Sequence, residues 1–275
     1  MEELQIEELE INLLLEAIFQ RYGYDFRSYA RASIDRRIRQ FLPSSGCDSL
    51  SAMIPKALRD KSFSTALIQY FSISVTEMFR DPSVYLAIRK EVVPLLRTYP
   101  HVKVWHAGCA TGEEVYSMAI LLKEEGLGEK ANLFGTDFND SALEQAKDGI
   151  YPVDKMKEFT RNYQQAGGSA SFAQYYHANY ESAVMDGALK KRLTFANHNL
   201  VTDEVFGEMH VIFCRNVLIY FNKELQGRAL RLFTDSLIRG GFLCLGNKED
   251  LQFTDVKGEY EVVDDKARIF RKKVV

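Results

Sequence analysis

From residue 102 onward the chain alternates between two textures. Short runs rich in β-forming residues, "VKVWHAG", "NLFGTDF", "LTFANHN", "HVIFCRN" and "GFLCLGN", each run into Gly, Asn or Asp, and most are separated by helix-length segments such as "EEVYSMAILLKEEG". That rhythm predicts an α/β fold with a mainly parallel sheet, wound by right-handed crossovers. The final "YEVVDDKARIFRKKV" predicts a hairpin closing one sheet edge. Residues 151–193 break the rhythm with Gly167, Gly168, the tyrosine-rich "FAQYYHANY" and a basic "KKR". This stretch is too long for an ordinary crossover and predicts a small inserted subdomain.

The first eighty or so residues read differently. "LQIEELEINLLLEAIFQRYG" carries apolar residues at helical spacing and stops at Gly23; "SYARASIDRRIRQFLPSSG" sets Ala30, Ile34, Ile38 and Phe41 along one stripe. A further helix is predicted at "RDPSVYLAIRKEVVPLL", with Asp81 as its cap and Pro82 at its first position. The 275 residues suffice for one full domain and a smaller one. No apolar run approaches the roughly 18 residues of a membrane span, and the N-terminus is acidic where a signal peptide is basic, so a cytoplasmic protein without membrane insertion is expected. Cys47, Cys109, Cys214 and Cys244 form no CxxC pair, which predicts buried free thiols rather than a zinc site or a disulfide framework. A formal net charge of -3 gives no general attraction to nucleic acid.

The loop "HAGCATGEE" at 106–114 is the first place to look for a ligand, because open α/β sheets bind at the carboxyl ends of their strands. Its small residues, Gly108 among them, let a ligand approach the backbone. A dinucleotide requires G-x-G-x-x-G and a helix N-terminus open to pyrophosphate. Here Glu113 and Glu114 occupy that terminus, favoured by the helix dipole but repelling phosphate. The ligand expected is therefore cationic at this point and carries a diol elsewhere, and S-adenosylmethionine (SAM) meets both demands. Asp137, ending the second strand 25 residues after Gly112, is placed for ribose hydroxyls, and Asn199, ending the third, for a base edge. The plainer alternatives are a first-turn acid for Glu113 and turn caps for Asp137 and Asn199. His106 and His198 flank the cleft without an HxH or HExxH pair, so structural roles are expected of them and no metal site.

Two further stretches narrow the class. "SVTEMFRDP" (74–82) and "FCRNVLIYF" (213–221) resemble the CheR family of chemotaxis receptor methyltransferases, protein-glutamate O-methyltransferases of bacteria. The likeness extends in order to "ATGEEVYS" at 110–117, "KDGIY" at 147–151 and "RASIDRRIRQF" at 31–41, nearly the whole chain. The resemblance implies an all-α N-terminal domain (1–73), a linker and connecting helix (74–100), and a Rossmann-like SAM-dependent methyltransferase domain (101–275) with an inserted β-subdomain (151–193).

By position, the resemblance implies cofactor contacts from Ser74, Thr76, Arg80, Glu113, Asp137, Asn199, Leu200, Arg215 and Asn216, and places Tyr220 beside the reacting methyl. Three departures stand out. Ser74 replaces a usual Asn, Met78 replaces a usual Phe, and Gly246, Asn247, Lys248 and Glu249 stand where the family often reads GHSE. The function implied is methylation of glutamate carboxylates on the cytoplasmic helical region of methyl-accepting chemotaxis receptors by a monomeric enzyme, giving methyl esters and S-adenosylhomocysteine. The acceptor carboxylate, with a pKa near ~4.3, is already ionised and needs no general base. Arg80 would fork onto the acceptor or the cofactor's own carboxylate, and Tyr220 would orient sulfonium or acceptor. Arg31, Arg36, Arg37 and Arg39 spread around the basic helix, either as a solvated face or as steering groups for an acidic receptor helix. A nucleic-acid methyltransferase would carry an N-P-P-Y-like cluster where this chain has Arg215 and Asn216. The remaining rival is a SAM-binding regulatory or scaffold protein that has lost catalysis, suggested by the altered 246–249 loop.

Overall fold

The structure is a computed structural model that describes residues 3–71 and 76–274. Its chain divides into two compact units, one of residues 1–73 with 219–228, the other of 74–218 with 229–275.

The first unit is helical: α1 Glu3–Tyr22, α2 Arg31–Phe41, α3 Leu50–Arg59 and α4 Lys61–Phe71. Gly23, at φ +79°, ends α1, and the Ser49 hydroxyl accepts from the Ala52 amide at 3.2 Å to cap α3. The predicted stripe of α2 is the buried one, with Ile34, Ile38 and Phe41 enclosed, as are Ile11, Leu14 and Ile18 of α1. Edge-to-face rings extend this core, Phe26 on Phe71 at 4.8 Å and Phe41 on Phe63 at 5.6 Å. The segment at 219–228 belongs here because it is hydrogen-bonded to the α1–α2 connection. The Ala30 amide donates to the Tyr220 carbonyl at 2.7 Å, the Asn222 amide to the Ser28 carbonyl at 3.0 Å, and Phe221 packs on Tyr29.

The second unit opens with α5 Pro82–Ala87 and α6 Val93–Leu96, joined through a π turn at Ile88–Val92. Pro94, lacking an N–H, cannot close the α-helical ladder one turn back, which accounts for the widened turn before it. There follow β1 Val102–Ala107, α7 Glu113–Glu124, β2 Ala131–Asp137, α8 Asp140–Asp148, β3 Ile150–Pro152, α9 Met156–Gln165, β4 Tyr176–Asn179, β5 Ser182–Met185, α10 Gly187–Lys190, β6 Leu193–Asn197, β7 Met209–Cys214, α11 Lys223–Ser236, of which only the part from residue 229 belongs to this unit, β8 Leu237–Leu245, β9 Tyr260–Asp264 and β10 Ile269–Lys272.

Seven strands form the main sheet in the order β6-β2-β1-β7-β8-β10-β9, parallel except at β10, which runs antiparallel to both β8 and β9. This is a Rossmann-like sheet closed at one edge by the hairpin read from the sequence. β1 is buried on both faces, as a parallel strand covered by helices must be. The chain winds outward from β1 to β2 and β6, then returns to place β7 on β1's other side. That reversal puts the carboxyl ends of β1 and β7 at the switch point. β3, β5 and β4 form a separate antiparallel sheet, accompanied by α9 with Phe159 and Tyr163 buried. The inserted small sheet thus spans Ile150 to Met185, while β6 returns to the main sheet.

Candidate cofactor site

The loop after β1 is built by backbone geometry that only some residues tolerate. Gly108 and Gly112 adopt φ of +75° and +91°, and a Cβ at Gly108 would lie 2.5 Å from Val217 Cγ2. At Gly112 it would lie 2.8 Å from the Ala146 Cβ. The amides of Gly108 and Cys109 donate to the Thr136 carbonyl at 2.8 and 2.9 Å, which extends the β1–β2 ladder into the loop. Tyr151 Oη, reaching from β3, donates to the Thr111 carbonyl at 2.8 Å.

Two acids meet at this loop. Asp137, at the end of β2, accepts from the Ala110 amide at 2.9 Å and the Asn139 amide at 3.0 Å. Burial pushes its carboxyl above the usual range, while these backbone N–H groups oppose the shift. Glu113, at the first position of α7, accepts from the Thr111 hydroxyl at 2.7 Å. Burial lifts Glu113 from 4.5 to about 7, partly offset by that hydroxyl, with no cation contributing. A buried carboxylate with no countercharge among the described residues is suited to a cationic ligand, so the donor set fits a sulfonium compound with an ammonium group.

Glu114 takes the opposite course. Although burial works to raise it, His106 Nδ1 at 2.9 Å and Arg215 Nη1 at 3.2 Å hold this carboxyl below its ordinary value. His106 is wholly buried and stacked on Phe213 at 4.6 Å, so it orients Glu114 within the core. Arg215 donates through Nη2 to Asp81 Oδ2 at 2.7 Å and through Nη1 to the Arg80 carbonyl at 3.3 Å. The cap expected of Asp81 is therefore not made. Asp81 stands before α5 at φ +55°, ψ +70°, without a side-chain capping bond, because its carboxylate is drawn to Arg215. Pro82 does take the first helical turn.

The other residues read from the sequence are placed as follows. Thr76 and Arg80 are half-buried, and Ser74 lies outside the described residues. Met78 is fully buried, and its carbonyl accepts from Asn162 Nδ2 at 3.2 Å. Asn199 Oδ1 accepts from the Val201 amide at 3.0 Å, a turn-capping bond, and Leu200 beside it is buried. His198 donates through Nε2 to the Glu204 carbonyl at 3.0 Å and packs on Trp105 and Phe206. Asn216 sits at φ +62°, its amide donating to Glu249 Oε2 at 3.0 Å.

Glu249 is a residue whose role the sequence reading missed. Its carboxylate also accepts from Val217 at 2.8 Å and Gly246 at 2.6 Å, tying the loop after β7 to the loop after β8. Asn247 and Lys248, which depart from the usual family residues, are exposed. In the helical unit the Arg37 guanidinium lies 5.7 Å from the Tyr220 ring centroid and donates to the Tyr70 carbonyl at 2.9 Å. Arg31 pairs with Asp35 at 2.6 Å and Arg39 with Glu7 at 2.6 Å, whereas Arg36 is exposed.

Residues 74–268 match the family described as "CheR methyltransferase, SAM binding domain", and residues 9–72 match "CheR methyltransferase, all-alpha domain". This chain belongs to the CheR methyltransferase family. Among its CheR relatives, a Pseudomonas putida protein provisionally named methyltransferase Cher3 is 53% identical over 265 residues, covering 96% of this chain and 97% of its own. The "Chemotaxis protein methyltransferase" of Listeria innocua is 27% identical, covering 83% of this chain and 85% of its own. That of Salmonella typhimurium is 26% identical, covering 94% and 89%. Among the described residues of this CheR chain no helix is long and apolar enough to cross a membrane, and no group of three or more His, Cys, Asp or Glu side chains is arranged to hold a metal ion.

Proposed function

We propose that the chain transfers the methyl group of SAM to glutamate side chains in the cytoplasmic helical region of methyl-accepting chemotaxis receptors, releasing S-adenosylhomocysteine. The observation that carries this reading is the buried Glu113 carboxyl at the start of α7, which takes the neutral Thr111 hydroxyl at 2.7 Å and, among the described residues, has no ion pair, so that burial raises it to about 7. Glu113 would receive the cofactor's ammonium group, Asp137 its ribose hydroxyls, and Asn199 with Leu200 its adenine. SAM supplies an electrophilic methyl on a sulfonium.

The protein's part is alignment. A receptor carboxylate is ionised at neutral pH, so no residue need remove a proton, and fixing acceptor and methyl in line can recover on the order of 7 to 11 kcal/mol of barrier. Arg80 would hold either the acceptor or the cofactor carboxylate, positioning rather than activating it, since a tight grip on the nucleophile would blunt it. Tyr220 would orient the reacting groups with its ring and hydroxyl. The chain is proposed to act as a cytoplasmic monomer, with 1–73, 74–100 and 101–275 as its helical, linking and catalytic parts.

The experiment is incubation of the purified chain with methyl-labelled SAM and receptor cytoplasmic fragments. Base-labile methyl on glutamate is the expected result. Tight cofactor binding without transfer would replace the enzyme with a SAM-binding regulatory or scaffold protein.

A further inference from the structure

The backbone at 78–81 is held in an unfavourable shape from several sides. Phe79 and Asp81, neither of them glycine, adopt φ of +54° and +55°, on either side of Arg80. Such residues are strained and persist only where the surroundings over-determine them. Here the surroundings do so. Asn162 of α9 binds the Met78 carbonyl at 3.2 Å, and the Ser117 hydroxyl of α7 accepts from the Phe79 amide at 2.8 Å. Arg215, just past β7, binds both the Arg80 carbonyl at 3.3 Å and the Asp81 carboxylate at 2.7 Å. Arg215 is itself anchored by Glu114, which His106 orients. Its side chain is 2% exposed, and its Nε is enclosed with no partner among the described residues.

We propose that Arg215 is a positioning residue that fixes the strained turn at 79–81, and thereby the presentation of the Arg80 side chain, instead of binding the cofactor itself. This rests on the proposed role of Arg80. Glu114, half-buried and ion-paired, is the counter-anchor that keeps the guanidinium from following Asp81 when the turn moves. The lever is a fork: one planar group spans a carbonyl and two carboxylates, which an ammonium at this site cannot do.

The test is a double-mutant cycle on methyl transfer at saturating cofactor, with Arg80→Ala, Asp81→Asn and the pair. Asn tolerates the left-handed backbone and removes only the charge. Asp81→Asn is expected to lower turnover about tenfold in the wild-type background and by less than about twofold in Arg80→Ala, the non-additivity of residues acting as one. Equal losses in both backgrounds would overturn the proposal. Arg215→Lys with S-adenosylhomocysteine calorimetry adds a second check. Cofactor affinity within about threefold of wild type is expected, and a loss as large as that of Glu113→Gln would show Arg215 to be a cofactor ligand. Hydrogen exchange needs no activity: the Phe79 amide should exchange about tenfold faster in Asp81→Asn while α7 is unchanged. Unaltered exchange at Phe79 would overturn the proposal. A wild-type chain that methylates no receptor would sink the functional reading and leave the exchange result to decide this one.

Discussion

The Thr111 hydroxyl donates to Glu113 Oε2 at 2.7 Å, a neutral group offered to a buried acid where a cation would be expected. With a folded pKa of about 7 against 4.5 for the free side chain, Glu113 binds a proton more tightly in the folded state. Folding stability from this group is therefore greatest below the unfolded value and falls as pH rises toward the folded one, by up to about 3 kcal/mol. Glu113→Gln should raise the denaturation midpoint at pH 8 and change it little at pH 4. A cationic ligand demands the ionised acid, so wild-type affinity for S-adenosylhomocysteine should climb between about pH 5 and 7, by as much as about tenfold per unit. In Glu113→Gln the affinity should drop and lose most of this slope, leaving what Asp137 contributes. Calorimetry across pH reads both effects, and a pH-independent wild-type affinity would remove Glu113 from the site.

Glu249 should prove to be a stability residue whose exposed neighbours are not. Its buried carboxylate accepts three amides from two loops. Glu249→Ala leaves those donors enclosed and should cost about 3 kcal/mol or more. Substitutions at Asn247 and Lys248 should stay within about 0.5 kcal/mol. Chemical denaturation of the three variants measures this directly. If Lys248 variants nevertheless alter receptor methylation, the changed loop concerns substrate choice.

The sheet was legible because its information is local. Parallel strands buried on both faces are short apolar runs, helices between them carry their own periodicity, and the "YEVVDDKARIFRKKV" hairpin announces itself by its turn. The site was legible only as far as single residues carry it. Glu113 and Glu114 are indistinguishable as letters, yet about 100° of helical rotation sends one to Thr111 and the other to His106 and Arg215. Asp81 before Pro82 has the pattern of a cap, but a guanidinium 134 residues away claims its carboxylate. Glu249 was missed for the same reason, since its partners at 216 and 217 are distant in sequence.

The four arginines of α2 should separate by experiment. Arg37 is half-buried over the Tyr220 ring and bound to the Tyr70 carbonyl, so Arg37→Ala should cost about 1–2 kcal/mol of stability. Arg39 and Arg31 are committed to Glu7 and Asp35 in solvent-accessible pairs, the second half-buried, worth at most about 1 kcal/mol each. Arg36 is exposed. If the face steers an acidic receptor helix, Arg36→Ala should leave the melting temperature unchanged and raise the receptor KM severalfold at low salt, with the difference shrinking at high salt. A KM indifferent to Arg36 at every ionic strength would assign the arginines to packing alone.

Gly108 should be among the least replaceable positions of the loop. Its φ of +75° is strained for any L side chain, and a Cβ would meet Val217 Cγ2 at 2.5 Å. Val217 cannot withdraw freely, because its amide is fixed to Glu249 Oε1 at 2.8 Å. Gly108→Ala therefore combines a backbone penalty of about 1–2 kcal/mol with displacement of the β7 loop. The double variant Gly108→Ala with Val217→Ala removes the collision and keeps the backbone strain. Cofactor affinity should fall at least about tenfold in the single variant and recover only partly in the double. Full recovery would show that the left-handed backbone is immaterial and that only the contact with Val217 requires glycine; no recovery would assign the whole effect to φ.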